Sequence, residues 1–255
     1  MQVEVKKIVK YCEEYLGVDK WKDYCINGLQ VEGAPRISKI ITGVSWSEKF
    51  IKAAIKKNAK AIMVHHGLFK SHIDFPPQVK GIVKGRLKLL LENNINMLGF
   101  HLPLDAHPVI GNNISILKLL GLKKTDTINS PEYGEIGFIG EYKEGVLFNE
   151  FLEKVNIVLN TKSYIIPAGP KKVKRVGIVS GGASPDYKIA AELDVDTYIC
   201  GDVRESIVRA VEETKINFIN AGHYNTEKLG VINLGNLIAK KFGVEVEFID
   251  IPCDV

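Results

Sequence analysis

Six histidines occur in the 255-residue chain, and four of them, His65, His66, His101 and His223, fall just past the carboxyl end of a predicted strand. In α/β sheets that edge is where ligands collect. His65 and His66 are neighbours, and neighbours on a strand point to opposite faces, so at a strand end each imidazole can serve a different metal ion. The segment His101-Leu102-Pro103-Leu104-Asp105 adds a second set, in which the Asp105 carboxylate could bridge two cations. His223-x-x-x-Glu227 is the third, because across one helical turn the i, i+4 spacing brings both side chains to one side. Imidazoles mixed with carboxylates suit zinc, manganese, iron or nickel better than calcium. A lone histidine at a strand end is most often a hydrogen-bonded structural residue. The full set of His65, His66, Asp105, His223 and Glu227 is what points to a two-metal-ion site. His101 is placed to orient a ligand or carry a proton, since imidazole titrates near neutral pH. His72 and His107 read as surface or supporting residues.

Strands alternating with helices must position these groups. The periodicity predicts a helix over Val3 to Leu16, a loop containing Asn27 to Gly33, a strand over Ile37 to Val44, a helix over Glu48 to Lys57 and a strand over Ala61 to Val64. A basic helix follows over Lys80 to Asn94, then a strand over Asn96 to Phe100 and a helix from Gly111 through Leu120. The stretch from Asp126 to Pro131 is polar and reads as a connection. Beyond it, strands over Ile136 to Tyr142 and Ser163 to Ile166 flank a helix over Leu147 to Val158. Strands over Lys172 to Val179, Thr197 to Cys200, Ile216 to Asn220 and Val244 to Ile249 alternate with helices over Tyr187 to Leu193, Glu205 to Glu213 and Thr226 to Lys241. The fold class is therefore α/β, with mixed sheets flanked by helices. The halves rhyme, which suggests two similar α/β units over residues 1–125 and 126–255.

Composition narrows the function classes. Apolar residues make up 45% of the chain and the net charge is +4, an ordinary globular balance with a mild basic excess. Four scattered cysteines without a C-x-x-C pair exclude a cysteine zinc finger and fit a reducing, cytoplasmic setting. The charged start MQVEVKKIVKYCEEYL does not read as a signal peptide, and no run of 18 apolar residues predicts a membrane span. The chain has no P-loop, dinucleotide fingerprint or nucleophile elbow. Ser180-Gly181-Gly182-Ala183-Ser184 could cradle a phosphate on backbone N–H groups or could be a plain strand-to-helix turn. Cys200 reads as a small buried apolar residue. Basic clusters at Lys80, Lys84, Arg86 and Lys88, and at Lys171, Lys172, Lys174 and Arg175, leave a DNA-binding reading open beside ordinary solvated faces.

Taken in order, several motifs resemble those of the NIF-three-like family, also called the GTP cyclohydrolase I type 2 family. They are Asn27-Gly28-Leu29-Gln30-Val31-Glu32-Gly33, Val64-His65-His66-Gly67, His101 to Pro108 with Gly111-Asn112-Asn113, Gly181 to Ser184, Ile199 to Asp202 and Ala221 to Glu227. The resemblance implies a dinuclear centre in a cleft between two similar α/β units, with ligands at His65, His66, Asp105, His223 and Glu227 and His101 beside them. It implies a metal-dependent hydrolase that attacks the purine imidazole ring of GTP. It also implies a ring-shaped homo-oligomer, often a hexamer. In such a ring each basic cluster would be multiplied by the subunit count. Many members carry an aspartate where this chain reads Val44-Ser45-Trp46-Ser47, and larger members carry an inserted middle domain for which 255 residues leave no room.

Overall fold

Runs such as Ile40-Ile41-Thr42-Gly43-Val44 and Ile62-Met63-Val64 lack the alternation of a half-wet strand. A strand apolar on both faces has to be covered on both faces, as in parallel α/β sheets. The computed structural model of the chain bears this out and describes residues 1–68 and 78–253; His72 lies outside the described residues. The chain forms two compact units, Met1–Leu104 with Gly230–Ile251, and Asp105–Leu229 with Pro252 and Cys253.

The first unit contains β1 (Val3–Glu4), α1 (Val5–Leu16), β2 (Gly28–Val31), β3 (Arg36–Ile37), β4 (Lys39–Ser45), α2 (Glu48–Lys56), β5 (Ala61–His66), α3 (Gly81–Glu92) and β6 (Asn96–Gly99). The short helix α4 (Leu102–Asp105) runs from the last residues of this segment into Asp105, the first of the second unit. In the second unit follow α5 (Asn112–Leu119), β7 (Lys123–Ser130), β8 (Gly134–Leu147), α6 (Phe148–Leu159), β9 (Tyr164–Pro167), β10 (Lys172–Ile178), α7 (Tyr187–Glu192), β11 (Thr197–Cys200), α8 (Glu205–Thr214) and β12 (Asn217–Asn220). The helix α9 (His223–Phe242) starts in the second unit, and β13 (Glu245–Phe248) lies in the first.

The first sheet has the order β13-β4-β5-β6-β2, parallel except for β2. Ile41, Ile62, Val64 and Met97 pack with Phe50, Ile51 and Leu90 of α2 and α3. On the other face Gly235 of α9 sits so close to Val246 and Thr42 that a Cβ there would lie 2.9 Å from Val246 Cγ1. The second sheet has the order β7-β8-β10-β11-β12-β9, with β10, β11 and β12 parallel. Its core joins Leu117 of α5 and Phe151 and Val155 of α6 to Val176, Ile178, Ile199 and Ile219. Among the described residues no helix is long and apolar enough to cross a membrane.

The two units repeat one pattern. A helix (α1, α6) precedes a short antiparallel strand (β2, β9), which pairs with the third of three parallel strands (β4-β5-β6, β10-β11-β12). Each third strand begins with a buried asparagine that plays the same role. Asn96 Oδ1 accepts from Gly33 N at 2.9 Å, while its Nδ2 donates to Ala34 O at 2.8 Å and Lys60 O at 3.0 Å. Asn217 Oδ1 accepts from Gly169 N at 3.0 Å, and its Nδ2 donates to Pro170 O at 3.0 Å. A Cβ on either glycine would collide with the backbone that starts the clasped strand.

Three features differ from the sequence reading. The segment read as a loop around Gly28 contains β2, whose pairing with β6 supplies a partner that local composition does not reveal. The polar stretch Lys123–Ser130 is a strand because it pairs along β8. The division falls at Leu104/Asp105 instead of 125/126, and α9 beyond Gly230 together with β13 joins the first unit, because β13 pairs in parallel with β4.

The clasp makes a stability prediction. Asn96→Ala or Asn217→Ala strips partners from buried backbone groups, so each should lower unfolding free energy by about 1–3 kcal/mol in urea titrations. Loss of only a few tenths would mean that the clasp is not structural.

Candidate functional site

In the first unit β5 ends on His65-His66, and the chain leaves β6 into His101. Strand alternation alone would separate His65 from His66. At the strand end, however, their ring centroids are 4.8 Å apart, with His65–His101 at 4.9 Å and His66–His101 at 5.8 Å. Each of the three offers a ring nitrogen, and these lie within 4.8 Å of one another. Every ring is held from behind through Nδ1. His65 Nδ1 is 2.9 Å from Phe100 O, His66 Nδ1 is 3.1 Å from Ser45 Oγ and His101 Nδ1 is 3.0 Å from Asp23 Oδ1. A carbonyl and a carboxylate can only accept, so His65 and His101 donate from Nδ1 and, when neutral, carry the lone pair on Nε2. Ser45 thus makes a polar contact with His66 at the strand end. Tyr24 Oη stands 3.5 Å from His101 Nε2.

Asp23 is buried and draws together the strand ends around it. Besides His101, it accepts from Cys25 N at 2.8 Å, Asn27 Nδ2 at 2.9 Å and Leu102 N at 3.0 Å. Burial alone would raise its carboxyl. The hydrogen bond and charge of His101, with the bonds from Asn27 and Cys25, outweigh that and hold it below its usual range. Asn27 Oδ1 in turn accepts from His101 N at 2.8 Å. Gln30 Oε1 accepts from Leu68 N at 2.7 Å, and a Cβ on Gly67 or Gly99 would overlap the Gln30 amide. The Asn27-to-Gly33 motif therefore fixes the ends of β5 and β6 that carry the histidines.

In the second unit Asp105, only 4% exposed, sits at the end of α4. Its Oδ1 accepts from Asn112 Nδ2 and from Ser180 Oγ, both at 2.8 Å. His223 opens α9, and its Nε2 lies 3.0 Å from Oε2 of Glu227 one turn on, itself 3% exposed. Asp105 and Glu227 offer carboxylate oxygens within 4.8 Å of each other. Two carboxylates this near and this buried repel when both are charged, and a shared cation relieves the repulsion. The donor chemistry of both units fits a divalent transition metal.

Other sequence expectations resolve as follows. Four of the five N–H groups of the Ser180–Ser184 turn are bonded within the protein: Ser180 to Asn113 Oδ1, Gly181 to Thr226 Oγ1, Ala183 to Gly181 O and Ser184 to Asp202 Oδ1. Those four N–H groups hold the turn against Asn113, Thr226, Asp202 and itself. Cys200 is fully buried and burial pushes its thiol well up. His107 Nδ1 accepts from Val109 N at 3.2 Å and Ile110 N at 3.3 Å, a supporting role. In the basic clusters Arg175 pairs with Glu141 and Asp126, and Lys88 with Glu92. Sequence reasoning passed over Asp23 and gave Ser45, Asn112 and Ser180 no role as braces; the two asparagine-bearing motifs, Asn27 to Gly33 and Gly111 to Asn113, were the available signal.

Two predictions follow from this packing. Gly181 has φ +70°, and a Cβ on it would overlap Glu227 Oε1 and approach His223 Nε2 to 3.2 Å. Gly181→Ala should therefore lower metal retention as well as stability, read by elemental analysis against urea midpoints; unchanged metal content would refute the steric argument. Asp23 has a depressed folded pKa, so its stabilisation is present above the unfolded carboxylate range and is lost as pH falls through the folded value. The stability gap between the native protein and Asp23→Asn should be widest near neutrality and shrink with acidification, and a gap that widens at low pH would contradict it.

Relatives place these residues in context. A protein of Haemophilus influenzae named "GTP cyclohydrolase 1 type 2 homolog" is 43% identical over 238 residues, covering 92% of this chain and 93% of the relative. One of the same name from Pyrococcus abyssi is 36% identical over 253 residues, 98% of this chain and 99% of the relative. Among solved structures, one described as "protein ybgI, unknown function" superposes with a TM-score of 0.93 at 34% identity, covering 99% of this chain and all of that one. "Reduced HcgD from Methanocaldococcus jannaschii" superposes at 0.85 with 25% identity, covering 98% and 99%. The pattern of Duf34/NIF3 (NGG1p interacting factor 3) matches residues 3–254, and the chain belongs to that family.

Proposed function

We propose that this protein is a metal-dependent hydrolase acting on a nucleotide, with His65, His66, Asp105, His223 and Glu227 supplying its metal ligands. The observation that carries the reading is that His65, His66 and Asp105 are each braced by a group other than a ligand: Phe100 O, Ser45 Oγ, and the Asn112 amide with the Ser180 hydroxyl. Donors braced in this way are characteristic of metal sites, where outer partners fix ring orientation and tautomer. Divalent ions, when bound, supply Lewis acidity that lowers the pKa of water toward neutrality and offsets charge developing on a substrate oxygen.

The chain's own residues set the conditions for that chemistry. Phe100 O holds His65 in the tautomer whose Nε2 can donate a lone pair. Asn112 and Ser180 both bond Oδ1 of Asp105, which directs the carboxylate. The relatives named for GTP cyclohydrolase make GTP the first substrate to try, with attack of water on the purine imidazole ring as the reaction.

Purified protein should hold about two transition-metal ions per chain. His65→Ala and Glu227→Ala should each lower that content, and Asp105→Ala should abolish turnover of GTP, other nucleotides or phosphoesters. Full metal content in both variants would sink the ligand assignment. Metal-replete protein that hydrolyses none of these compounds above a metal-free control would sink the catalytic one.

A further inference from the structure

We infer that a cavity in the second unit, walled by Thr161, Lys162, Asn220, Gly222 and Asn225, binds the phosphate groups of a nucleotide. This deepens the function proposed above and rests on that reading for the nucleotide; the phosphate follows from the cavity itself. The cavity measures about 590 Å³, within the ordinary range for a small-molecule site. It lies where α6 ends, β9 begins and β12 gives way to α9. Gly222 in its wall directly precedes His223, so a ligand anchored there is held beside a candidate metal ligand.

The polar groups of the wall are sorted by role. Asn225 is 6% exposed, and its Oδ1 accepts from Lys228 Nζ at 3.1 Å. The same ammonium donates to Leu159 O at 3.0 Å, which anchors it. Asn225 Nδ2 bonds to no described residue. Asn220 repeats the arrangement, with Oδ1 accepting from Gly222 N at 2.9 Å. Each amide has therefore used its acceptor inside the protein and has its donor left to offer. A side chain at Gly222 would crowd Asn225 Nδ2 at 3.2 Å and Thr161 Oγ1 at 3.6 Å, so glycine keeps both groups clear.

Charge points the same way. Lys162 adds an exposed ammonium, Thr161 adds a hydroxyl, and no carboxylate lines the cavity among the described residues. The 20-residue helix α9 begins at this wall, and aligned peptide dipoles make a helix's amino end favourable to anions. A cation, two amide donors and a hydroxyl at a helix start, with no acid opposing them, select an oxyanion. The cavity has room for more than a single phosphate, which suits the chain of a nucleoside triphosphate. Phosphates anchored here leave the base to reach toward His223.

The test is calorimetric titration of the full chain, stripped of metal by a chelator so that binding alone is read, with GTP, inorganic tripolyphosphate and guanosine. GTP and tripolyphosphate should bind with an affinity that falls as salt rises, and guanosine should bind at least about 10-fold more weakly than GTP. Lys162→Glu, an exposed change that spares the fold, should weaken GTP and tripolyphosphate by about 10–100-fold and leave guanosine unaffected. Asn225→Asp, which turns a donor into an acceptor, should act in the same direction. Lys6→Glu on α1 changes net charge equally and should have no effect. Tripolyphosphate should shift the side-chain amide signals of Asn220 and Asn225 in nitrogen–proton NMR. The inference is overturned if the native protein binds no tripolyphosphate, if guanosine binds as well as GTP, or if Lys162→Glu costs no more than Lys6→Glu. The two readings fail separately. Metal-loaded protein that turns over GTP with a KM unchanged by Lys162→Glu sinks this inference alone. Tripolyphosphate binding that depends on Lys162, without any turnover, sinks the hydrolase and keeps the phosphate site.

Discussion

Parallel pairing constrains everything else in this protein. Strands joined by helical crossovers run the same way, so their carboxyl ends collect at one edge of the sheet. In the first unit β4, β5 and β6 end on Ser45, on His65-His66 and just before His101. In the second, β10, β11 and β12 end just before Ser180, Gly201 and His223. Residues distant in sequence thereby share an edge without any long-range motif specifying it. The brace of Ser45 on His66 comes from a neighbouring strand end for the same reason, while Ser180, just past β10, braces Asp105 of α4.

How much of this was legible in the sequence depends on the range of the interaction concerned. The buried strands declared themselves by unbroken apolar runs, and the histidines and the His223–Glu227 turn stood out because their signal lies within five residues. The short strand β2 did not, since Gly28-Leu29-Gln30-Val31 gains strand character only from β6, nearly seventy residues on. Asp23 was invisible for the same reason: its partner His101 is separated by 78 positions, and an isolated aspartate in Trp21-Lys22-Asp23-Tyr24 has no local signature. The strand β7 is exposed along Lys123 to Asp126 and carries no pattern of its own, so only β8 could reveal it.

The second unit uses the same scaffold for different donors. One copy brings imidazoles to its strand ends; the other brings two buried carboxylates and one imidazole. Neutral nitrogen donors and anionic oxygen donors differ in how much of an ion's charge they compensate, so the same topology presents two electrostatic environments. The weak sequence likeness between the halves reflects this. What is shared is the pairing order and the glycine–asparagine clasp, which composition does not expose.

The clasp has a consequence for how such a protein can change. Asn96 and Asn217 stand at the first residue of their strands, and His101 and His223 stand just beyond the last. Each strand is four residues long, so at least roughly 13 Å of strand separates the asparagine that secures the fold from the candidate site residue. Substitutions more than about 7–10 Å apart with no shared partner act independently. Loops at the carboxyl edge are therefore free to explore new donors while the amino edge preserves robustness, and evolvability is built into the strand itself.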